Sequence, residues 1–375
     1  MTDQQAEVVV IGGGTMGSMI TWRLSAQGHK VICIEADNVA HSRSAVAGDS
    51  RLFRRSYRGE IELDGILSIA EQQWKDLNSA AGEDIFVNCG GLYIGNSDGD
   101  YLTELVECCR RNHLEYEILS AAETRRRFPQ HRVGDHESAL FEPSAGFLRT
   151  ERAVHAAFRL AENEGATVLS NAPVRSVQES NDQVVVGHDR GTITADSVVI
   201  AAGTGSPTLL PALCDHLEPR REILTWFPVL EPQDFDHSKF PIFVHIDGEF
   251  SAYGAPSLDG STLKSTLDGR AKPISEYPDH RYVLTSDEIS ESEATAAKFF
   301  NDILPKVSRQ ECLSDLYTSD RQAIVGRVPG KVRTFVATGF SGTGFKMSAG
   351  VGEMFARSYS DGTDLPNFWN PARFA

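Results

Sequence analysis

The ten residues Val8–Gly17, VVVIGGGTMG, constrain this chain more than any other stretch, because they ask for a buried parallel strand with an anion at its end. A short β-branched apolar run suits a strand covered on both faces. Gly12, Gly14 and Gly17 follow it in G-x-G-x-x-G spacing. The first glycine permits the tight turn, the second lets a pyrophosphate approach the backbone, and the third lets the next helix pack close to the strand. That helix starts at Thr15 and Met16 and points free N–H groups and its positive dipole end at the phosphates. The next apolar run, VICIE, ends on Glu35, placed to accept hydrogen bonds from an adenosine ribose. Strand, glycines, helix and acid in this order predict a dinucleotide site.

At 375 residues the chain exceeds one ordinary core, so two domains are expected. A formal charge of −16 disfavours nucleic acid and anionic membrane as partners, since both need basic patches. Arg125-Arg126-Arg127 is too short a run to change that and reads as a solvated helix face. No apolar stretch approaches the ~20 residues of a membrane span. The start, MTDQQAEVVV, lacks the basic region and cleavage site of a signal peptide, so a cytoplasmic protein is expected. Its six cysteines show no C-x-x-C and fit reduced thiols, and its eleven histidines form no ligand pair, so no metal site is expected.

Apolar spacing predicts a helix over roughly 60–80, a strand in CGGLYIG (89–95), helices near 101–112 and 150–165, and a strand in ATVLS. A hairpin is expected across GHDRG, followed by a separate apolar strand, Ser197–Ala202, that runs into Gly203. From Glu218 to about Pro305, short alternating runs suit an antiparallel sheet with one covered face. TFVATGFSGTGFKMSAGVGEMFARSY then gives strand, glycine loop and helix again. The expected fold class is α/β, α+β overall. A discontinuous Rossmann-like cofactor domain (1–85, 150–215 and 315–375) carries an inserted substrate domain (86–149 and 216–314). Three glycine-terminated strands far apart in sequence suit an extended FAD lying between two domains better than a nicotinamide cofactor.

The residues resemble the flavin-dependent amine oxidases of the D-amino-acid-oxidase superfamily, near the sarcosine and N-methyltryptophan oxidases. The likeness covers nearly the whole chain. It rests on the N-terminal block and on GDSRLFRRSY, FEPSAGFLRTERAV, ADSVVIAAGTGSPTLLP, YGAPSLDGSTLK and VATGFSGTGFKMSAGVGEMFA. The resemblance implies hydride transfer from a secondary amine to FAD, hydrolysis of the resulting imine, and reoxidation by dioxygen to hydrogen peroxide. It also implies a monomer.

By the same resemblance, Arg54 and Lys346 would grip the substrate carboxylate, a task suited to a guanidinium fork and a point charge. Ser50 and Arg51 would lie near the flavin, whereas Arg55 reads as an ordinary surface charge. Lys264 would promote the reaction with dioxygen by electrostatic stabilisation. Tyr253 and Tyr317 match aromatic positions near the substrate. The loop Gly342, Thr343, Gly344, Phe345 and Lys346 would meet the cofactor.

Cys312 aligns with a cysteine that bonds covalently to the flavin, provided one extra residue follows it. Aligning Tyr317-Thr318 instead puts Asp315 at the linkage position and leaves the flavin non-covalent, and a buried free thiol is a third reading. The thioether is the expectation carried forward. Relatives often carry histidines where Ala47, Asp268 and Thr343 stand here, which implies an altered pocket. A biosynthetic oxidase or dehydrogenase of a larger or carrier-tethered amine is therefore an alternative, and a flavin-binding protein without turnover a further one.

Overall fold

The computed structural model of the protein describes residues 4–274 and 283–374. Part of the expected alternating region, 275–282, lies outside the described residues. The strand Gln4–Ile11 pairs in parallel with Val31–Ile34 on one side and with Gly191–Ile200 on the other. Thr167–Leu169 extends the sheet beyond Val31–Ile34, and Thr334–Thr338 joins alongside Val198–Ile200. Val8, Val9 and Val10 are completely buried, as a strand covered on both faces requires. The helices Thr15–Ala26, Leu63–Ala81 and Gly344–Asp361 pack together on one face, where Trp74 and Phe345 stack with ring centroids 5.8 Å apart.

Gly191–Ile200 is one ten-residue strand rather than the hairpin arm and separate apolar strand expected. Its first half pairs antiparallel with Val184–His188 and its second half in parallel with Thr334–Thr338. The strand continues because a backbone ladder can change partners without breaking, which no side-chain pattern announces.

A nine-stranded, mostly antiparallel sheet makes the second layer. Within it Leu217–Pro228 lies between Arg309–Thr318 and Thr262–Leu267, then come Phe250–Ala255 and Ile242–Asp247. Arg309–Thr318 belongs wholly to this sheet, so the expected boundary at 315 falls inside a strand. Helix Ser286–Phe299 and a cluster of Phe227, Phe235, Phe240 and Phe243 cover one face of the sheet. The other face looks toward the parallel sheet. A short sheet of Ser50–Phe53, Gly146–Arg149 and Phe86–Asn88 lies between the layers. No helix among the described residues is long and apolar enough to cross a membrane.

Candidate active site

A cavity of about 710 Å³ runs from the carboxyl ends of the parallel strands to the open face of the nine-stranded sheet. Ligands of doubly wound sheets occupy that end of the strands, and the volume lies in the range typical of cofactor and ligand pockets, roughly 300–1,000 Å³. Gly12, Gly14, Thr15, Met16, Glu35 and Gly203 line one end.

The three motif glycines divide the labour that their spacing suggests. A Cβ on Gly12, whose φ is +103°, would collide with the backbone of Ala201, and one on Gly17 would collide with the carbonyl of Gly12. A Cβ on Gly14 would meet nothing within 4 Å and would stand in the cavity itself. Gly14 also begins the helix Thr15–Ala26 without a side-chain cap, so the helix offers its N–H groups to an anion. Glu35 is held by N–H groups of Gly13 (2.6 Å) and Asp37 (2.9 Å) at the cavity wall. These residues fit the pyrophosphate and ribose of FAD.

Arg51, Arg54, Tyr57, Tyr253, Tyr317 and Lys346 line the other end with Gly342, Thr343, Gly344 and Phe345. The Arg54 guanidinium lies 4.2 Å from the Tyr57 ring centroid and 5.0 Å from that of Tyr93, and its Nη1 is buried with no hydrogen-bond partner among the described residues. Burial opposes its charge, but the phenol oxygens of Tyr57, Tyr101 and Tyr93 outweigh it and raise its pKa further. The Lys346 ammonium sits 5.0 Å from the same Tyr57 ring and donates to the Thr343 carbonyl at 3.3 Å. Burial would raise the Tyr57 phenol, yet Lys346 and Arg54 hold it below its ordinary value. Two cations without a carboxylate partner among the described residues, at one buried spot, form a receptor for an anion. Arg55, in contrast, pairs with Glu71 at 3.3 Å.

Arg51 spends its guanidinium on the carbonyls of Ser50, Ala45 and Ala47, at 2.8, 3.0 and 2.9 Å. Ser50 and Lys264 lie behind the wall rather than on it. The buried Lys264 ammonium donates to the carbonyls of Gly48 (2.8 Å) and Ser50 (2.7 Å). Burial, then the Arg51 charge, push its pKa well down. Ala47 is buried against Leu224, Trp226 and Leu313, so of the three replaced histidine positions only Asp268 and Thr343 border the cavity.

The structure does not bring Cys312 to the cavity. Side chains alternate along the Arg309–Thr318 strand, and Leu313, Asp315 and Tyr317 take the cavity side. Cys312 points away, into a cluster with Ile223 and Leu284, and Arg221 lies 3.8 Å from its sulfur. Burial pushes this thiol up. Asp315 borders the cavity instead, accepting from the N–H of Gly342 at 2.9 Å. The expected thioether thus finds its cysteine away from the cavity, and the residue that borders the cavity is Asp315, the one the alternative alignment puts at the linkage position.

Sequence reasoning missed Tyr57 and Glu222. Tyr57 stands three residues after Arg54, a spacing that could have paired them. Glu222 accepts a short hydrogen bond from Tyr317 and lines the cavity, and burial raises its pKa. Only the register of the Leu217–Pro228 strand reveals it. A cluster of potential metal ligands also exists, His136, Glu137 and Asp247, with ligand atoms within 4.8 Å. Those atoms are engaged by His245 and Gly134 on Glu137 and by Lys298 on Asp247.

Comparison with known proteins places this geometry. The chain is 30% identical to N-methyl-L-tryptophan oxidase of Citrobacter koseri, over 96% of this chain and 97% of the relative. It is 28% identical to monomeric sarcosine oxidase of a Bacillus species, over 95% and 93%. Its fold superposes on NikD, an unusual amino acid oxidase essential for nikkomycin biosynthesis, with TM-score 0.87, 19% identity and 98% of each chain covered. L-proline dehydrogenase of P. horikoshii gives TM-score 0.85 at 20% identity, covering 100% of this chain and 98% of that one. The family described as FAD dependent oxidoreductase (DAO) matches residues 7–358, so this chain belongs to that family of FAD-dependent enzymes.

Proposed function

We propose that this enzyme oxidises a secondary amino acid, N-alkyl or cyclic, with dioxygen as electron acceptor. The residues around Gly12, Gly14 and Glu35 would hold FAD, which would supply the two-electron acceptor for a hydride from the carbon beside the amine nitrogen, leaving an imine, with dioxygen taking the electrons as hydrogen peroxide. Arg54 and Lys346 hold the substrate carboxylate, and the Tyr57 ring beneath both cations fixes their separation. The buried, unpartnered Nη1 of Arg54 carries this reading, since a desolvated donor without an acceptor is costly unless a ligand supplies one. Tyr253 and Tyr317 bound the space for the amine. Lys264, whose amine is held by the carbonyls of Gly48 and Ser50 against the burial that lowers its pKa, serves the reaction of dioxygen by its positive charge when protonated. The names of the relatives support amine oxidation and a monomeric state.

Peroxide production with sarcosine, N-methyl-L-tryptophan, L-proline and L-pipecolate tests the proposal, alongside anaerobic bleaching of the flavin band. Oxidation of at least one compound is expected. Failure of all four, with a flavin reducible by dithionite, would favour a larger or carrier-tethered amine. That second reading draws on a cavity that continues past Asp268 to Gly269 and Ala271.

A further inference from the structure

Lys264 does not stand alone. On the face of the nine-stranded sheet that looks toward the cavity, Arg309, Trp226 and Lys264 are cross-strand neighbours on three adjacent strands. The Arg309 guanidinium lies 4.2 Å from the centroid of the Trp226 ring, and the Lys264 ammonium lies 5.4 Å from it. The Gly48–Ser50 turn sits across this row. Lys264 binds the carbonyls of Gly48 and Ser50, and the residue between them, Asp49, receives Arg309 at 2.5 and 3.2 Å.

The turn is an unusual one. Gly48 has φ +101° and Asp49 has φ +64°, a left-handed conformation that an L side chain adopts only at a cost. In that conformation the carbonyls before and after Asp49 converge on one ammonium. A Cβ on Gly48 would collide with Leu224, so the approach of turn to sheet is close as well. Glu311 shares the Arg309 guanidinium, and Glu151 accepts from the Asp49 N–H at 3.3 Å. Both Arg309 and Asp49 are more than a third exposed. A pair so placed adds little to global stability, and its effect is local.

We propose that Arg309 and Asp49 are positioning residues for Lys264: their ion pair holds the 48–50 turn in the conformation that fixes the ammonium behind the cavity wall. The consequence for catalysis rests on the role proposed above for Lys264, whereas the positioning itself does not.

Reductive methylation of the flavin-loaded protein, with Lys264 occupancy read by peptide mass spectrometry, tests the positioning. Arg309→Ala is expected to label Lys264 about tenfold faster and to slow flavin reoxidation by a similar factor, as a small misplacement of a fixed group does. Anaerobic flavin reduction should change far less. Asp49→Asn tolerates the left-handed turn but lacks the charge, and should give a smaller effect in the same direction. Arg309→Lys should restore part of the protection, which separates a lost ion pair from general damage. Labelling of Lys264 at the wild-type rate in both Arg309→Ala and Asp49→Asn overturns the proposal. If Lys264→Met itself reoxidises normally, the assigned role of Lys264 falls, while faster labelling in Arg309→Ala would still establish the clamp.

Discussion

At the scale of single residues, the site is a contrast between Arg54, one of whose nitrogens finds no acceptor among the described residues, and Arg51, whose guanidinium is taken up by backbone carbonyls. Arg54 leaves a donor unused, and Arg51 leaves none of its carbonyl acceptors far away. Replacing Arg54 with Met removes charge-assisted hydrogen bonds worth ~1.5–3 kcal/mol each, so KM for a carboxylate substrate should rise about 10- to 100-fold. Steady-state kinetics checks this, and the matching amine without a carboxylate should lose little. Lys264→Met should slow stopped-flow reoxidation about 100-fold, the size expected for one preorganised charge, and slow anaerobic reduction much less. Equal slowing of both half-reactions would contradict its assignment to dioxygen.

At the scale of elements, legibility follows locality. The strand, turn and helix of residues 4–26 and the acid at Glu35 were readable because each part constrains its neighbours within a few residues. Helix Leu63–Ala81 was readable from apolar spacing, and Gly344–Asp361 from the strand and glycine loop that precede it. Cys312 and Asp315 were not separable, because a strand's inward face is fixed by its partner: Cys312 opposes Ile223, and Asp315 opposes Arg220. Glu222 was hidden for the same reason. Precipitation with trichloroacetic acid should therefore release yellow flavin into the supernatant, and Cys312→Ser should leave flavin content unchanged. Helix Ser286–Phe299 gives an element-scale test by pH. Its capping box joins Thr285 and Glu288, and Glu288 also binds Arg221 at 2.5 Å and Lys272 at 2.8 Å. Burial pushes the Glu288 carboxyl up, but Lys272, the Thr285 N–H and Arg221 pull it down to about 2. A depressed carboxyl stabilises the fold above its unfolded value of about 4.3 and loses that contribution as pH falls toward its folded value. Denaturant titrations should show stability dropping across this window, and a shallower drop in Glu288→Gln, which keeps the cap but not the charge.

At the scale of the whole molecule, two layers meet over one cavity, and the parallel layer is stitched from the beginning, middle and end of the chain. Gln4–Ile11 needs Gly191–Ile200, which needs Thr334–Thr338. Removal of residues 334–375 should abolish soluble, flavin-binding protein, measured by yield and by the absorbance of the purified fraction, because it strips a strand and the helix Gly344–Asp361 from the largest apolar cluster. Pairings of such sequence separation also make folding slow. A ribosome that has yet to decode residues 334–361 would hold a nascent polypeptide whose vitamin-derived prosthetic group has nowhere to settle, so maturation has to wait for that late segment.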